Sequence, residues 1–411
     1  MARAATPAYL GSDFSQTAPG HRFSLYLPLW VPGAWTRESD KPANAKDGSA
    51  ATGKAPALRT VLALGGYFSE LNRSLCARQA ALAAPLAAQG QLLALHAVAV
   101  APFTTGLGNE HPLENGFAFL NPYGLPYLPG SGVKGVLRQA ARELADRRWG
   151  DDQGWTDDTI TALFGKAGTD GDTDLQRGAL MFWDVMPQIA GDALQVEVMT
   201  PHQSHYYQNG DSPHESGQPI PINFLTVPPG SKFVFHMQCD GPFLKRLAPE
   251  LAGDGRWQRM LTAALAHAFR WLGFGAKTAV GYGAMREDEK ARQHREQQAL
   301  ARRDAAIAIE REQRHAQLTP AQREAESAAP LIAAFRAKLD AERKLNKYKA
   351  GSTFDQHRAV FLLHALTLQS QDLRRAAAQA LHESYEFTDW PGKKERKQEV
   401  KQALSQLDGL A

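Results

Sequence analysis

Two amphipathic helical patterns, with short apolar runs around them, constrain the fold of this chain more than any other feature. From Ser131 onward, apolar residues recur every three or four positions, which predicts a helix; they are Val133, Val136, Leu137, Ala140, Ala141 and Leu144. The same spacing predicts a second helix over 256–272. Apolar runs predict strands at 92–100, 179–185, 194–199, 220–227 and 232–238, and the glycine-rich residues 273–285 lead into a last strand.

The resulting order is β-α-β-β-α-β with large insertions, which is the ferredoxin-like (RRM-like) arrangement of an α+β fold. We assign it residues 1–286, in which 37–58 lack apolar periodicity and are predicted to form a flexible loop. Residues 287–319 are highly charged and predict a solvated helical linker, and residues 320–411 predict an α-helical domain. Its helices are predicted at 331–345, 354–368, 371–387 and 393–408.

Composition excludes several classes of protein. Among 411 residues there are two cysteines, Cys76 and Cys239, which are too few for a disulfide framework and fit a reduced, cytoplasmic setting. No apolar stretch reaches the roughly 18–20 residues needed to span a bilayer. The net charge of +3 is small, so binding to an anionic polymer would depend on a local patch rather than on a global field.

The first candidate site is the glycine-rich stretch 129–138, Pro-Gly-Ser-Gly-Val-Lys-Gly-Val-Leu-Arg, which opens the first helix. It is not a Walker loop, because glycine rather than serine or threonine follows Lys134. A helix N-terminus with Ser131 as its predicted N-cap is suited to phosphate, and Lys134 and Arg138 lie one turn apart. The alternative is a capped helix with ordinary surface cations.

The second candidate site is the stretch 273–283, Gly-Phe-Gly-Ala-Lys-Thr-Ala-Val-Gly-Tyr-Gly. Glycine permits close approach of another backbone, Phe274 and Tyr282 are aromatic rings on which bases can stack, and Lys277 adds a cation. The alternative is a tight hairpin whose aromatic side chains belong to the core.

Together, the two motifs resemble those of the RAMP superfamily of CRISPR-associated RNA-binding proteins, with Ser131-Gly132 in place of the usual Ser-Ser. The stretches 121–128, 200–207 and 219–227 are similar to the sixth-subunit family of the Cmr complex, the type III-B effector. The resemblance covers about 90–286. It implies a RAMP fold in a non-catalytic subunit that holds the 3′ part of the guide RNA and caps one end of the complex.

The resemblance further implies guide RNA, its target RNA and other RAMP and Cmr subunits as partners, with no cofactor, membrane or direct DNA ligand. The candidate RNA-binding residues are Ser131, Gly132, Lys134, Gly135 and Arg138 in the first motif, Gly273, Phe274, Gly275, Lys277, Gly281, Tyr282 and Gly283 in the second, and His202, Tyr206 and Tyr207 between them.

Two alternatives remain open from residue types alone. Some RAMP relatives are metal-independent ribonucleases that process the guide precursor, and such cleavage needs a base, an acid and a cation. Candidates for these roles are His202, His205, Tyr206, Tyr207 and His214, with His111 and Lys134. The three histidines at 202, 205 and 214 are also a candidate zinc site, although structural zinc sites usually include cysteine.

Overall fold

The computed structural model describes residues 2–41, 43, 49–166, 168, 176–200, 210, 221–345 and 353–386, with single positions 398, 401, 402 and 405 beyond them. The chain divides into two compact units, Met1–Glu296 and Gln297–Ala411. Each unit has its own hydrophobic core.

The first unit is built from seven described helices and eight described strands. The helices are α1 Pro19–Ser24, α2 Lys54–Arg59, α3 Gly65–Ala88, α4 Gly130–Ala145, α5 Asp157–Phe164, α6 Gly241–Leu247 and α7 Arg256–His267. The strands are β1 Leu92–Ala99, β2 Phe119–Leu120, β3 Leu125–Pro126, β4 Leu180–Phe182, β5 Gln195–Met199, β6 Ile222–Thr226, β7 Lys232–Cys239 and β8 Met285–Glu287. Single helical turns lie at Ala8–Leu10, Ala190–Asp192, Pro249–Leu251 and Thr278–Val280, and α7 continues into a wider turn, Ala268–Leu272.

The main sheet has the strand order β4-β7-β1-β8, and every neighbouring pair is antiparallel. Helix α4 connects β1 to β4, and α7 connects β7 to β8. This is the predicted β-α-β-β-α-β order, and the two consecutive βαβ units interleave in one sheet as in ferredoxin-like folds. The fold predicted from sequence is confirmed.

The core lies between this sheet and the apolar faces of α4 and α7. Alternate residues of β7, Phe233, Phe235 and Met237, are fully buried. The rings of Phe235 and Phe269 pack at 5.6 Å, which joins the sheet to the end of α7. Burial of each such side chain contributes roughly 1.5–3 kcal/mol, and the buried residues of α4 belong to the same core, so the sheet and the helices that cover it stabilise one another.

Two smaller hairpins are inserted into this framework. Strands β2 and β3 pair between β1 and α4, and β5 and β6 pair between β4 and β7. Upstream of the sheet, residues 54–58 of the segment predicted to be flexible belong instead to α2, where Lys54, Ala57 and Leu58 are buried. The prediction is wrong there because Leu58 packs into the core, a contact that local composition does not encode.

The second unit is helical. Helix α8, Glu289–Gln317, runs across the boundary between the units and has no buried residue among those described, as its charge predicts. The next helices are α9 Pro320–Leu345, α10 Thr353–Thr367 and α11 Gln371–Glu386. Pro330, expected to precede a helix, lies inside α9. The helix predicted at 393–408 falls mostly outside the described residues.

Buried residues of α9, α10 and α11 form the second core, which includes one charged side chain. Arg358 is only 1% exposed. Its guanidinium lies 4.1 Å from the centre of the Tyr385 ring and pairs with the carboxylate of Asp355. Such a pair is stable in a core because each charge has a partner.

Candidate nucleic-acid interface

The N-terminus of α4 is where the first glycine motif begins. Pro129 precedes the helix, and the Gly130 N–H donates to Oδ1 of Asp184 at 2.7 Å. A Cβ at position 130 would overlap the carbonyl oxygen of Phe182, so only glycine fits. Ser131 lies exposed inside the first turn, and the prediction that it is the N-cap is wrong. A carboxylate distant in sequence supplies the capping acceptor instead.

Lys134 and Arg138 differ in their surroundings although they lie one turn apart on α4. Arg138 donates from Nη2 to the carbonyl oxygen of Gly165 at 2.6 Å, and its Nε is buried without a partner. Burial, and then the nearby charge of Arg142, lowers the pKa of Arg138. Lys134 is half-buried and forms no ion pair with any described residue. Lys134 is therefore the cation available to a ligand, whereas the guanidinium of Arg138 is hydrogen-bonded to the backbone of Gly165.

The second glycine motif is a loop of positive-φ glycines around a buried ring. Phe274 is fully buried, with its ring centre 4.8 Å from that of Phe235 and 5.6 Å from that of Phe269. It has no face open to a base, so its predicted stacking role is wrong. Its ring completes the core instead, which was the alternative interpretation of this motif.

The motif glycines fall into two groups by the space around them. A Cβ at Gly275 would overlap the carbonyl oxygen of Thr104, and one at Gly283 would overlap that of Phe274. By contrast, a Cβ at Gly281 or at Gly135 would meet no atom within 4 Å. Close approach of a second molecule is therefore possible at Gly135 and Gly281, whereas Gly275 and Gly283 accommodate the protein's own backbone.

Lys277 and Tyr282 lie half-buried against the β5–β6 hairpin. The Nζ atom of Lys277 is 3.1 Å from Sδ of Met199 and 5.5 Å from the centre of the Phe224 ring. The Tyr282 hydroxyl donates to Oε2 of Glu197 across 3.5 Å. Burial, and then the Glu197 charge, raises the pKa of Tyr282, which stays protonated. The loop and the hairpin together form one half-buried surface with a cation and a ring.

The other residues predicted to bind RNA either have a structural role or lie outside the residues that the structure describes. Gly132 donates its N–H to the Pro129 carbonyl at 2.9 Å, and Gly273 is buried at the start of the second loop. His202, Tyr206 and Tyr207, which are predicted to bind RNA, lie outside the described residues, and so do His205 and His214, which with them are candidates in the nuclease and zinc alternatives.

His111, a candidate base for RNA cleavage, is a structural side chain. Its ring stacks on Phe23 at 3.8 Å, Nδ1 accepts from the Leu113 N–H at 3.2 Å, and Nε2 is 3.0 Å from the Phe23 carbonyl. With Nδ1 accepting, the proton is on Nε2, and burial lowers the pKa of His111. Both ring nitrogens are bound to the backbone, so the ring cannot act as a base.

Sequence reasoning did not identify an exposed aromatic pair beside α4 and α7. Trp149 and Trp271 are 49% and 51% exposed, and their ring centres lie 4.9 Å apart. Beside them, Nε2 of His267 lies 2.7 Å from Oε2 of Glu143, which ties α7 to α4. The two tryptophans are far apart in sequence, so no local pattern could have shown that they meet.

Neither a metal site nor a membrane span is found in the described ranges. No group of three or more histidine, cysteine, aspartate or glutamate side chains there could hold a metal ion. Within the same ranges, no helix is both long enough and apolar enough to cross a membrane.

Comparison with known proteins identifies the domain that holds both motifs. Residues 96–286 match the model of the RAMP superfamily. These residues belong to the RAMP superfamily. The CRISPR system Cmr subunit Cmr6 of Pyrococcus furiosus is 29% identical to the chain over 240 residues, which cover 44% of this chain and 64% of that protein. The match thus spans less than two thirds of the relative's own length.

Two solved structures are also similar to the chain. The cryo-EM structure of the type III-B Cmr-beta bound to cognate target RNA contains a chain that is 17% identical, with a TM-score of 0.40 over 57% of this chain and 70% of that one. The crystal structure of Cmr6 from Pyrococcus furiosus is 25% identical, with a TM-score of 0.27 over 48% of this chain and 98% of that one.

Proposed function

We propose that this chain is a non-catalytic, RNA-binding subunit of a type III-B (Cmr) CRISPR effector complex. The observation that supports this most is that the RAMP region, residues 96–286, contains both glycine motifs and that a relative of the chain is Cmr6. In this proposal the subunit binds the guide RNA toward its 3′ end, caps the subunit filament and contacts other RAMP and Cmr subunits and the target RNA. Residues 1–286 form the RNA-binding domain, 287–319 a linker and 320–411 a helical domain.

The guide is held through its backbone in this proposal. Lys134 supplies the cation at the start of α4, and Gly135 leaves room beside it for a sugar-phosphate chain. Lys277, Gly281 and Tyr282 offer a second contact at the β5–β6 hairpin. Contacts of this kind bind RNA without reading its sequence, as a guide of variable sequence requires.

Purification of the tagged chain from its native host, with sequencing of the bound RNA, tests the proposal. We expect short RNAs that share a repeat-derived 5′ tag, together with several RAMP subunits. Long repeat-spacer precursors cut at one position, without partner proteins, would instead favour the processing ribonuclease. His111, the candidate base that the structure describes, does not support that nuclease, because both of its ring nitrogens are bound to the backbone.

One substitution in α4, with a control in α8, tests the contribution of Lys134. Lys134→Ala is expected to weaken single-stranded RNA binding several-fold and to reduce the slope of log K against log salt by about 0.7, since one phosphate contact is lost. Lys290→Ala, which removes an exposed lysine of α8, is the matched control and should change neither. An unchanged slope for Lys134→Ala would show that Lys134 does not contact phosphate.

Gly135→Gln separates folding from binding. Because a Cβ at 135 meets no protein atom within 4 Å, the substitution should stabilise α4 by roughly 0.5–1 kcal/mol through helix propensity. If RNA passes over this position, the same side chain should lower RNA affinity. A variant that is more stable and binds RNA normally would remove Gly135 from the site.

A further inference from the structure

Strand β5 has one paired edge and one partly open edge. Its inner edge pairs with β6 from Gln195↔Thr226 to Met199↔Ile222. Its outer edge begins paired as well, because the Leu194 N–H donates to the Leu62 carbonyl at 2.8 Å. The residues that precede Leu62 in the chain would have to pair with the rest of this edge, but α2 ends at Arg59, only three residues earlier. The extended segment around Leu62 is therefore too short to pair with more of β5.

The orientation of the remaining edge groups follows from this contact. In a strand the N–H and C=O groups of alternate residues point to the same side. Since the Leu194 N–H points outward, the N–H and C=O of Val196 and Val198 also point outward. Among the residues the structure describes, none bonds to these groups from that side. A row of unpaired groups of this kind is a template for an added strand.

A cleft of about 510 Å³ lies along this edge, between β5 and α2. Its lining residues are Ala55, Arg59, Leu62, Leu194, Gln195, Val196, Glu197, Val198 and Asn223. Val198 is 51% exposed, and Arg59 is exposed and forms no ion pair with any described residue. The cleft therefore combines apolar side chains, one free cation and a row of main-chain donors and acceptors.

These features select an extended polypeptide rather than RNA. The outward groups of Val196 and Val198 repeat at about 6.8 Å, twice the rise of an antiparallel strand, which is the spacing of another strand. The phosphate groups of RNA have no donors to pair with their carbonyl oxygens, so only the 2′-hydroxyls could do so, whereas a peptide strand offers an N–H and a C=O together at each repeat. The lining of the cleft contains one arginine and one glutamate, Arg59 and Glu197, so it carries no net positive charge to attract a nucleic acid.

We infer that the outer edge of β5 receives an extended segment of a neighbouring protein subunit, added as a strand beside Val196 and Val198. The inference rests on the proposed function, which places the chain in a multisubunit assembly. The segment places apolar side chains against Leu62 and Val198 and an acidic side chain near Arg59. The partner thus binds by β-strand addition, in which main-chain hydrogen bonds supply affinity and side-chain pockets supply selectivity.

Hydrogen exchange and site-specific crosslinking on the assembly test this inference. The assembly is purified from the native host through a tag on this chain and compared with the isolated chain. The amides of Val196 and Val198 are expected to exchange at least tenfold more slowly in the assembly. A photo-crosslinking amino acid at position 198 is expected to capture one extended segment of a protein subunit.

Two substitutions at the edge provide the matched pair. Val198→Pro removes the outward N–H, and proline is tolerated on an edge strand whose N–H faces solvent. It is expected to lower retention of the crosslinked subunit at least fivefold, whereas Val198→Thr, which keeps the N–H and the strand propensity, should not. Thermal unfolding of each variant checks that the fold is kept.

The outcomes separate this inference from the proposed function. An intact assembly in which the amides of Val196 and Val198 exchange as fast as in the isolated chain would overturn the inference alone. Crosslinking of position 198 to RNA instead of protein would do the same. Purification without any RAMP subunit would overturn the proposed function and, with it, this inference.

Discussion

Replacing Gly283 by alanine should destabilise the first unit through two separable terms. The φ angle of +70° costs an L-residue about 1–2 kcal/mol. The new Cβ would also overlap the Phe274 carbonyl, and the loop has little room to move. Gly283 donates to the Pro102 carbonyl at 2.8 Å and accepts from the Phe274 N–H at 3.0 Å. Breaking both bonds costs about 1–3 kcal/mol, and the stiffer unfolded chain offsets about 0.4–1 kcal/mol.

The expected loss for Gly283→Ala is therefore about 3 kcal/mol, which corresponds to roughly 6–12 °C in the melting temperature of a domain of this size. Gly281→Ala is the matched control, because its φ of +95° carries the same backbone cost while its Cβ meets no atom within 4 Å. We expect the control to lose about 1 kcal/mol or less. Tryptophan fluorescence during thermal unfolding of the full chain reports the transition, since Trp155 and Trp257 are buried in the first unit. Equal losses for the two variants would refute the steric argument.

Three further predictions concern charge. Burial, and then the charge of His96, lowers the pKa of His236 to about 4. The contribution of the neutral imidazole to the free energy of unfolding should therefore be fully present above pH 6.5, and the free energy of unfolding should fall by about 3 kcal/mol between pH 6.5 and 4. Urea unfolding across that range measures the loss, and His236→Gln should flatten the profile. Asp184→Asn should raise RNA affinity about two- to fivefold by removing a negative charge beside the proposed phosphate site, at a stability cost under about 1 kcal/mol; filter binding at two salt concentrations checks this. Arg358→Ala removes a buried guanidinium together with its ion pair to the half-buried Asp355 and its contact with the Tyr385 ring, and should destabilise the helical unit by about 3–5 kcal/mol, seen as faster hydrogen exchange over 353–386.

The sequence was sufficient for the elements of the sheet because their signals are local. The spacing of apolar residues predicted α4 and α7, and runs of apolar residues predicted β1, β5, β6 and β7 within two residues of their observed bounds. The order of these elements then left few topologies, and the ferredoxin-like one is observed. The helix that includes Pro330 was misplaced because proline is usually a boundary signal.

The site was less predictable because its geometry depends on contacts that are distant in sequence. A Gly-aromatic-Gly unit has the same local pattern whether the ring is buried, as for Phe274, or half-buried, as for Tyr282. Likewise, the spacing of Lys134 and Arg138 suggests that both cations face the same ligand, but Arg138 donates instead to the carbonyl of Gly165 at the end of α5. Only the folded chain shows that Asp184 occupies the start of α4.

The β5–β6 hairpin has a consequence for the energetics of assembly. One of its faces, through Glu197 and Met199, holds Tyr282 and Lys277, and its outer edge borders the cleft with α2. A ligand on either side therefore acts on the same two strands. By thermodynamic linkage, if binding of one ligand changes the affinity for the other by a given factor, binding of the second changes the affinity for the first by the same factor. An assembly built on this hairpin would reach the same final stability whichever component arrives first, and where the coupling is favourable, loss of one component would weaken binding of the other.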